Sequence, residues 1–207
     1  MAQQTNGLKA LLSMPWAYDG LQNLVGVKRQ RQLLIAEHFS LFEGARVLDV
    51  GCGTGELYAL LPKSISYVGI DLSASYIEQA KRRFSATAQF ICADLSDFDF
   101  SGFAPFDRVI GTGILHHLDD LPAARLLQAA SERLKPNGLL ITVDPTLLDG
   151  PQSALARAVI RRDRGRNVRS PSEYVALAQP AFSNVQFKIR SDLLRIPYTH
   201  CVLECAK

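Results

Sequence analysis

Cysteine is scarce in this chain. Its 207 residues hold four, Cys52, Cys92, Cys201 and Cys205, with no CxxC pair and no histidine at zinc-binding spacing. That excludes a disulfide framework or a zinc module as the organising element and fits a reducing, cytoplasmic setting. A dominant charge sign is lacking too. The 23 Lys and Arg against 20 Asp and Glu leave a formal charge of +3, too mild to mark a nucleic-acid-binding face. Long apolar runs are missing: nothing approaches the roughly 18 residues of a membrane span. The opening stretch MAQQTNGLKALLSMPWAYDG has no charged flank followed by an apolar segment of signal length, so neither export nor anchoring is expected. What remains is a chain that is 47% hydrophobic and long enough to bury one substantial core.

Short, mostly apolar, β-rich runs occur at 45–50, 66–71, 88–92, 106–111 and 138–144. Continuous apolar strands of this kind belong to a parallel sheet covered on both faces. The segments between them carry helical spacing, as from Ser73 to Phe84. Two closing strands, 184–190 and 198–205, are separated by too few residues for a helical crossover and should pair antiparallel. The run 24–39 reads as an amphipathic helix capping the sheet. Two helices are expected between the fifth and sixth strands, the second opened by Ser170, Pro171 and Glu173 in a capping-box pattern. The fold class is therefore α/β: one Rossmann-like, doubly wound sheet, mostly parallel and seven-stranded, with an antiparallel C-terminal strand and helices on both faces.

The strongest chemical signal is DVGCGTG, Asp49 to Gly55, which follows the first strand and should open a helix at Glu56. Glycines let the backbone turn tightly and approach a ligand, and a helix start offers unpaired N–H groups. The next strand ends in Asp71, 22 residues beyond Asp49. A carboxylate there can accept both hydrogen bonds of a ribose diol, or can simply cap the following helix. A dinucleotide site usually carries GxGxxG, so the GxGxG spacing argues against a nicotinamide dehydrogenase.

These residues resemble the class I S-adenosylmethionine-dependent methyltransferases of the small-molecule type. CADLSDF at 92–98 and LKPNGLLITVD at 134–144 extend the resemblance over about residues 44–145. The resemblance implies S-adenosylmethionine as cofactor, with S-adenosylhomocysteine as product. It places Asp49, Gly51, Cys52, Gly53 and Gly55 at the methionine part, Asp71 and Leu72 at the ribose, Asp94 and Leu95 beside the adenine, and the backbone of Gly111 along the cofactor. Trp16 and Tyr18 in MPWAYDG, with Gln22 and Arg31, are similar to a lid segment. Arg31 is expected to pair with the methionine carboxylate.

Methyl transfer is an in-line displacement, so the protein mainly aligns the nucleophile and, where needed, removes a proton. GTGILHHLDD follows the fourth strand, and His117 and His116 are the candidate catalytic bases; a loop histidine can equally be a packing residue. Gly111, Thr112 and Gly113 stand where exocyclic-amine methyltransferases carry an Asn/Asp-Pro-Pro-aromatic motif, which argues against that chemistry. A catechol-type magnesium site would need a second carboxylate to join Asp144, and no metal is expected. Between Arg157 and Arg169 six arginines face one aspartate, able to clamp an anionic acceptor or to form a solvated face. Tyr18, Arg164, Arg166, Arg169, Tyr174 and Tyr198 are the candidate acceptor contacts.

The expected organisation is a single domain, 1–207: a helical lid (1–43), a cofactor core (44–145), a helical substrate-recognition insertion (146–182) and a C-terminal hairpin completing the sheet (183–207). The expected activity is transfer of a methyl group to oxygen or nitrogen of a small, possibly anionic molecule. The alternatives are RNA or protein methylation, or a cofactor-binding homologue that does not methylate and acts as a regulator or cyclase. The expected partner is a small-molecule acceptor, with neither nucleic acid nor membrane, and the chain a monomer or homodimer.

Overall fold

The computed structural model describes residues 25–163 and 165–207. Tyr18 and Arg164, expected at the acceptor, and Trp16 and Gln22 of the lid segment lie outside the described residues. The elements are α1 (Val27–Glu37), β1 (Arg46–Val50), a 3-10 turn (Tyr58–Leu60), β2 (Ser66–Asp71), α2 (Ala74–Phe84), β3 (Gln89–Cys92) and β4 (Phe106–Thr112). A second 3-10 turn (Leu115–His117), α3 (Asp120–Arg133), β5 (Leu134–Pro145), α4 (Ala154–Ile160), α5 (Pro171–Ala178), β6 (Asn184–Arg190) and β7 (His200–Ala206) follow.

Seven strands form one sheet in the order β3-β2-β1-β4-β5-β7-β6. β1 through β5 pair in parallel. β7 runs against both β5 and β6, because the short connection after β6 allows only a reversal. β1, β2, β4 and β5 are buried on both faces along most of their length, as parallel strands inside a covered sheet require, whereas β3, at the edge, buries Phe90 alone. One core packs α3 and α5 on the sheet through Leu127, Ala130, Tyr174 and Ala178. The other packs α1 and α2 on the opposite face through Leu34, Ile77 and Ala80. Each fully buried Leu or Ile in these layers contributes about 1.5–3 kcal/mol.

Local signals account for several boundaries. Ser73 caps α2 by accepting from Tyr76 N–H. Ser170 and Glu173 form the reciprocal capping box of α5, with Pro171 at its first turn, an arrangement whose serine cap is worth about 1 kcal/mol. One expectation fails. No α-helix opens at Glu56, and the chain makes only the 3-10 turn Tyr58–Leu60. Pro62 forces the preceding Leu61 into extended backbone (φ −79°, ψ 153°), so too few residues remain after the glycine loop to propagate a helix. β5 also begins earlier than expected, its first pairing with β4 separated from the rest by a register shift that leaves Lys135 Nζ on both carboxylate oxygens of Asp107, at 2.8 and 2.9 Å.

Candidate active site

The strand order reverses between β1 and β4, and in open α/β sheets that crevice at the carboxyl ends is where ligands bind. The glycine loop sits there. Gly51, Gly53 and Gly55 have φ of 72°, 55° and 79°, values that cost an L side chain about 1–2 kcal/mol each. Gly51 and Cys52 donate their backbone N–H groups to Ile70 O, at 2.8 and 3.2 Å, which folds the loop onto the end of β2. A side chain at Gly51 would meet Ile114 at 3.2 Å, whereas one at Gly53 would meet nothing within 4 Å. The loop is packed from below and open above.

Asp71 ties this loop to the next helix. Gly53 N–H donates to its Oδ2 at 2.9 Å and Ser73 N–H to its Oδ1 at 2.8 Å. Both readings of Asp71 are thus compatible: it anchors the start of α2, and each oxygen keeps a lone pair for a ribose hydroxyl. Leu72 beside it is 70% exposed, an apolar surface at the position expected to flank the ribose. Asp94, exposed at the end of β3, accepts from Ser96 N–H at 2.8 Å. The side chains of Leu95 and Cys52 are buried in the two cores, so at those positions only the backbone is available to a ligand. Burial raises the Cys52 thiol pKa above its ordinary value.

Asp49 lies beneath the loop, buried and accepting from Tyr67 O–H at 2.5 Å. Burial pushes its carboxyl up to about 7, against the opposing pull of the Tyr67 hydrogen bond and the Arg31 charge. α1 therefore brings Arg31 within electrostatic reach of Asp49, placing a cation and a carboxyl together under the loop.

The side expected to face the acceptor is built from the turn after β4. Gly113 (φ 68°) turns the chain out of the strand, and Gly111 packs so closely that a Cβ there would lie 3.1 Å from Ile114. The two histidines then diverge. His117 is exposed and its ring centroid lies 4.0 Å from that of His116. His116 is buried, its Nδ1 2.8 Å from Asp144 Oδ1 and its Nε2 3.4 Å from Asp163 Oδ1. Burial alone would lower its pKa, but the two carboxylates outweigh burial and hold it at about 9. A ring protonated at neutral pH and fixed on both nitrogens is not a proton acceptor, so the geometry leaves His117 as the candidate base.

The arginine cluster is divided by its contacts. Arg169 is buried and donates to Leu115 O, Leu118 O, Asn167 O and Asp120 Oδ1. Arg157 donates to Leu148 O at 2.9 Å. Both guanidiniums hold their own chain, and Arg161, Arg162 and Arg166 remain exposed. Tyr174 is buried, with its hydroxyl on Pro145 O at 3.0 Å. Tyr198 donates to Asp163 Oδ2 at 2.6 Å. Asp163, which sequence reasoning passed over as the lone acid in a basic run, joins this cluster; its carboxyl is held well below the usual range by the hydrogen bond from His116 and that from Tyr198.

Comparison with known proteins agrees with this geometry. Residues 47–138 match a family model described as a methyltransferase domain. An uncharacterized methyltransferase of Mycobacterium tuberculosis is 36% identical over 109 residues, covering 50% of this chain and 54% of that protein. A tRNA U34 carboxymethyltransferase of Alteromonas mediterranea is 31% identical over 147 residues, covering 65% of this chain and 42% of that protein. The apo structure of the S-adenosylmethionine-dependent methyltransferase SibL superposes with a TM-score of 0.75 at 19% identity, covering 98% of this chain and 60% of that chain. This chain spans about half the length of the first of these curated relatives, and less than half of the second.

An open glycine loop at the switch point and a second-strand acid with lone pairs to spare accompany a sequence match to a methyltransferase domain over residues 47–138, and the fold is that of the class I, Rossmann-like S-adenosylmethionine-dependent methyltransferases. The cofactor of that family is S-adenosylmethionine, and the residues at this edge fit it. The space above Gly53 admits a ligand, Asp71 suits a ribose, exposed Leu72 suits the adenosine, and the Arg31–Asp49 pair suits a zwitterionic amino-acid tail.

Proposed function

We propose that this chain transfers the methyl group of S-adenosylmethionine to oxygen or nitrogen of a small-molecule acceptor, releasing S-adenosylhomocysteine. The observation that carries the reading is the joining of Gly53 to Asp71 at the β1/β4 switch point. The bound cofactor supplies an electrophilic methyl on a sulfonium. The protein's share is to orient, to exclude water and to take a proton. Gly51, Gly53 and Gly55 bring backbone against the methionine part, Asp71 holds the ribose, and Arg31 receives the carboxylate. His117, at the open side of the turn after β4, accepts the proton that a hydroxyl loses as it attacks, or that the nitrogen of an amine sheds once it has taken the methyl group.

A small acceptor is favoured because the basic segment is not a free cationic face. Arg157 and Arg169 are engaged with backbone carbonyls, leaving Arg161, Arg162 and Arg166 to meet an acidic group on a metabolite rather than a track of phosphates. The test is release of S-adenosylhomocysteine from purified protein offered acidic and neutral hydroxyl- or amine-bearing metabolites, and separately unmodified tRNA. Turnover on a metabolite is expected. Turnover on tRNA alone, with steeply salt-dependent binding, overturns the small-molecule reading. Cofactor binding with no product from any acceptor supports a non-methylating homologue instead.

A further inference from the structure

Asp163 and residues 165–169 lie as a strap along the turn after β4, which Asp163, Gly165, Asn167 and Arg169 contact. Asp163 Oδ1 pairs with His116 Nε2. Gly165 lies on the His116 ring, where a Cβ would come within 2.0 Å of Cδ2 and 2.7 Å of the His116 carbonyl. Asn167 donates its N–H to His116 O at 3.0 Å and its side-chain amide to Asp119 at 3.1 Å. Arg169 closes the series on Leu115 O and Leu118 O, and Thr146 Oγ1 donates to Arg169 O at 2.9 Å. Arg166, between these contacts, points outward and is exposed. The inward side chains are one acid, one glycine, one amide and one arginine, each matched to a partner of the turn.

The charges meet at His116. Asp144 reaches it from β5, Asp163 from the strap and His117 from its own turn, and His200 at the start of β7 lies within electrostatic range. Tyr198 O–H completes the second oxygen of Asp163, and Asp119 and Asp120 take Asn167 and Arg169. Only with both ring nitrogens protonated can His116 donate to carboxylates on both sides.

We propose that Asp163 and His116 are positioning residues. They form a charged latch, carboxylate–imidazolium–carboxylate, that fixes Asp163 and the 165–169 segment against the turn bearing His117 and so orients the acceptor. The orienting role rests on the methyltransferase reading; the latch itself does not. As pH rises past about 9 the ring loses its second proton, one of its two bonds is lost, and the strap loosens.

The test uses the full chain and three readouts. Imidazole 15N shifts of the wild type should show His116 doubly protonated at neutral pH with a midpoint near 9. Tryptic cleavage within the strap should accelerate as pH rises through that midpoint, and at neutral pH should be about tenfold faster in Asp163→Asn, as local opening becomes easier. Calorimetry with S-adenosylhomocysteine should give Asp163→Asn an affinity within about twofold of wild type, since the lost contacts lie on the acceptor side. On any acceptor that turns over, the same variant should raise the acceptor KM and leave the cofactor KM unchanged. A His116 midpoint near its ordinary 6.5 overturns the latch, as does unchanged strap cleavage in a folded Asp163→Asn. A variant that raises the cofactor KM instead overturns the orienting role. If Asp163→Asn does not fold, the wild-type titration decides alone. Absence of cofactor binding in the wild type would remove the methyltransferase reading while leaving the latch readouts intact.

Discussion

The two sides of the crevice are held by different kinds of force. On the cofactor side, a seven-residue glycine loop is shaped by backbone conformation and pinned by backbone N–H groups to Ile70 O and Asp71. On the acceptor side, the strap and the turn after β4 are held by side-chain charges from four separate elements, meeting at His116 and Arg169. The first is a geometry that few substitutions preserve, and the second is a set of contacts that individual substitutions can rewire.

That contrast is broken most severely at Gly165. A methyl group there collides with the His116 ring and carbonyl, so Gly165→Ala should destabilise the chain by about 1–3 kcal/mol or more in urea unfolding. Next in size is Asp71→Ala, which should weaken S-adenosylmethionine binding by about 1–3 kcal/mol through lost charge-assisted hydrogen bonds. The fold, checked by circular dichroism, should remain.

Proton titration sharpens the comparison, because it acts unequally on the two sides. The folded pKa of His116 is raised to about 9 from 6.5, so its stabilisation is fully present below 6.5 and is lost as pH rises through 9. Burial lowers His200 to about 4, so its neutral form stabilises above 6.5 and that contribution falls away as pH drops toward 4. Melting temperature should therefore decline on the alkaline side in wild type, and His116→Gln should flatten that limb. The smallest effect is expected at Arg166, which faces solvent: Arg166→Gln should change stability by no more than about 0.5 kcal/mol and leave S-adenosylmethionine affinity unaltered.

The same contrast decides what could be read from the sequence. The strands, the antiparallel close and the capping box of Ser170 and Glu173 follow from local pattern, and so does the glycine loop with its acid at Asp71. The missing helix after Gly55 turned on one residue, Pro62, which ends the segment before a helix can propagate. The acceptor side was less legible because its logic is long-range. Nothing near Arg169 in sequence shows that its guanidinium will be spent on Leu115 and Leu118. Nothing near Asp163 foretells a histidine 47 positions earlier as its partner. Local composition reads 157–169 as a cationic cluster, whereas folding turns two of its arginines inward and gives its single acid a central place.

Isothermal titration of the purified chain with S-adenosylmethionine and S-adenosylhomocysteine, with NAD as control, bears on all of this at once. Saturable binding of both sulfur compounds, weakened in Asp71→Ala, with no heat from NAD, is the predicted result. Binding of NAD, or no binding of either sulfur compound by a folded protein, would contradict the assignment of the glycine loop on which the proposed activity stands.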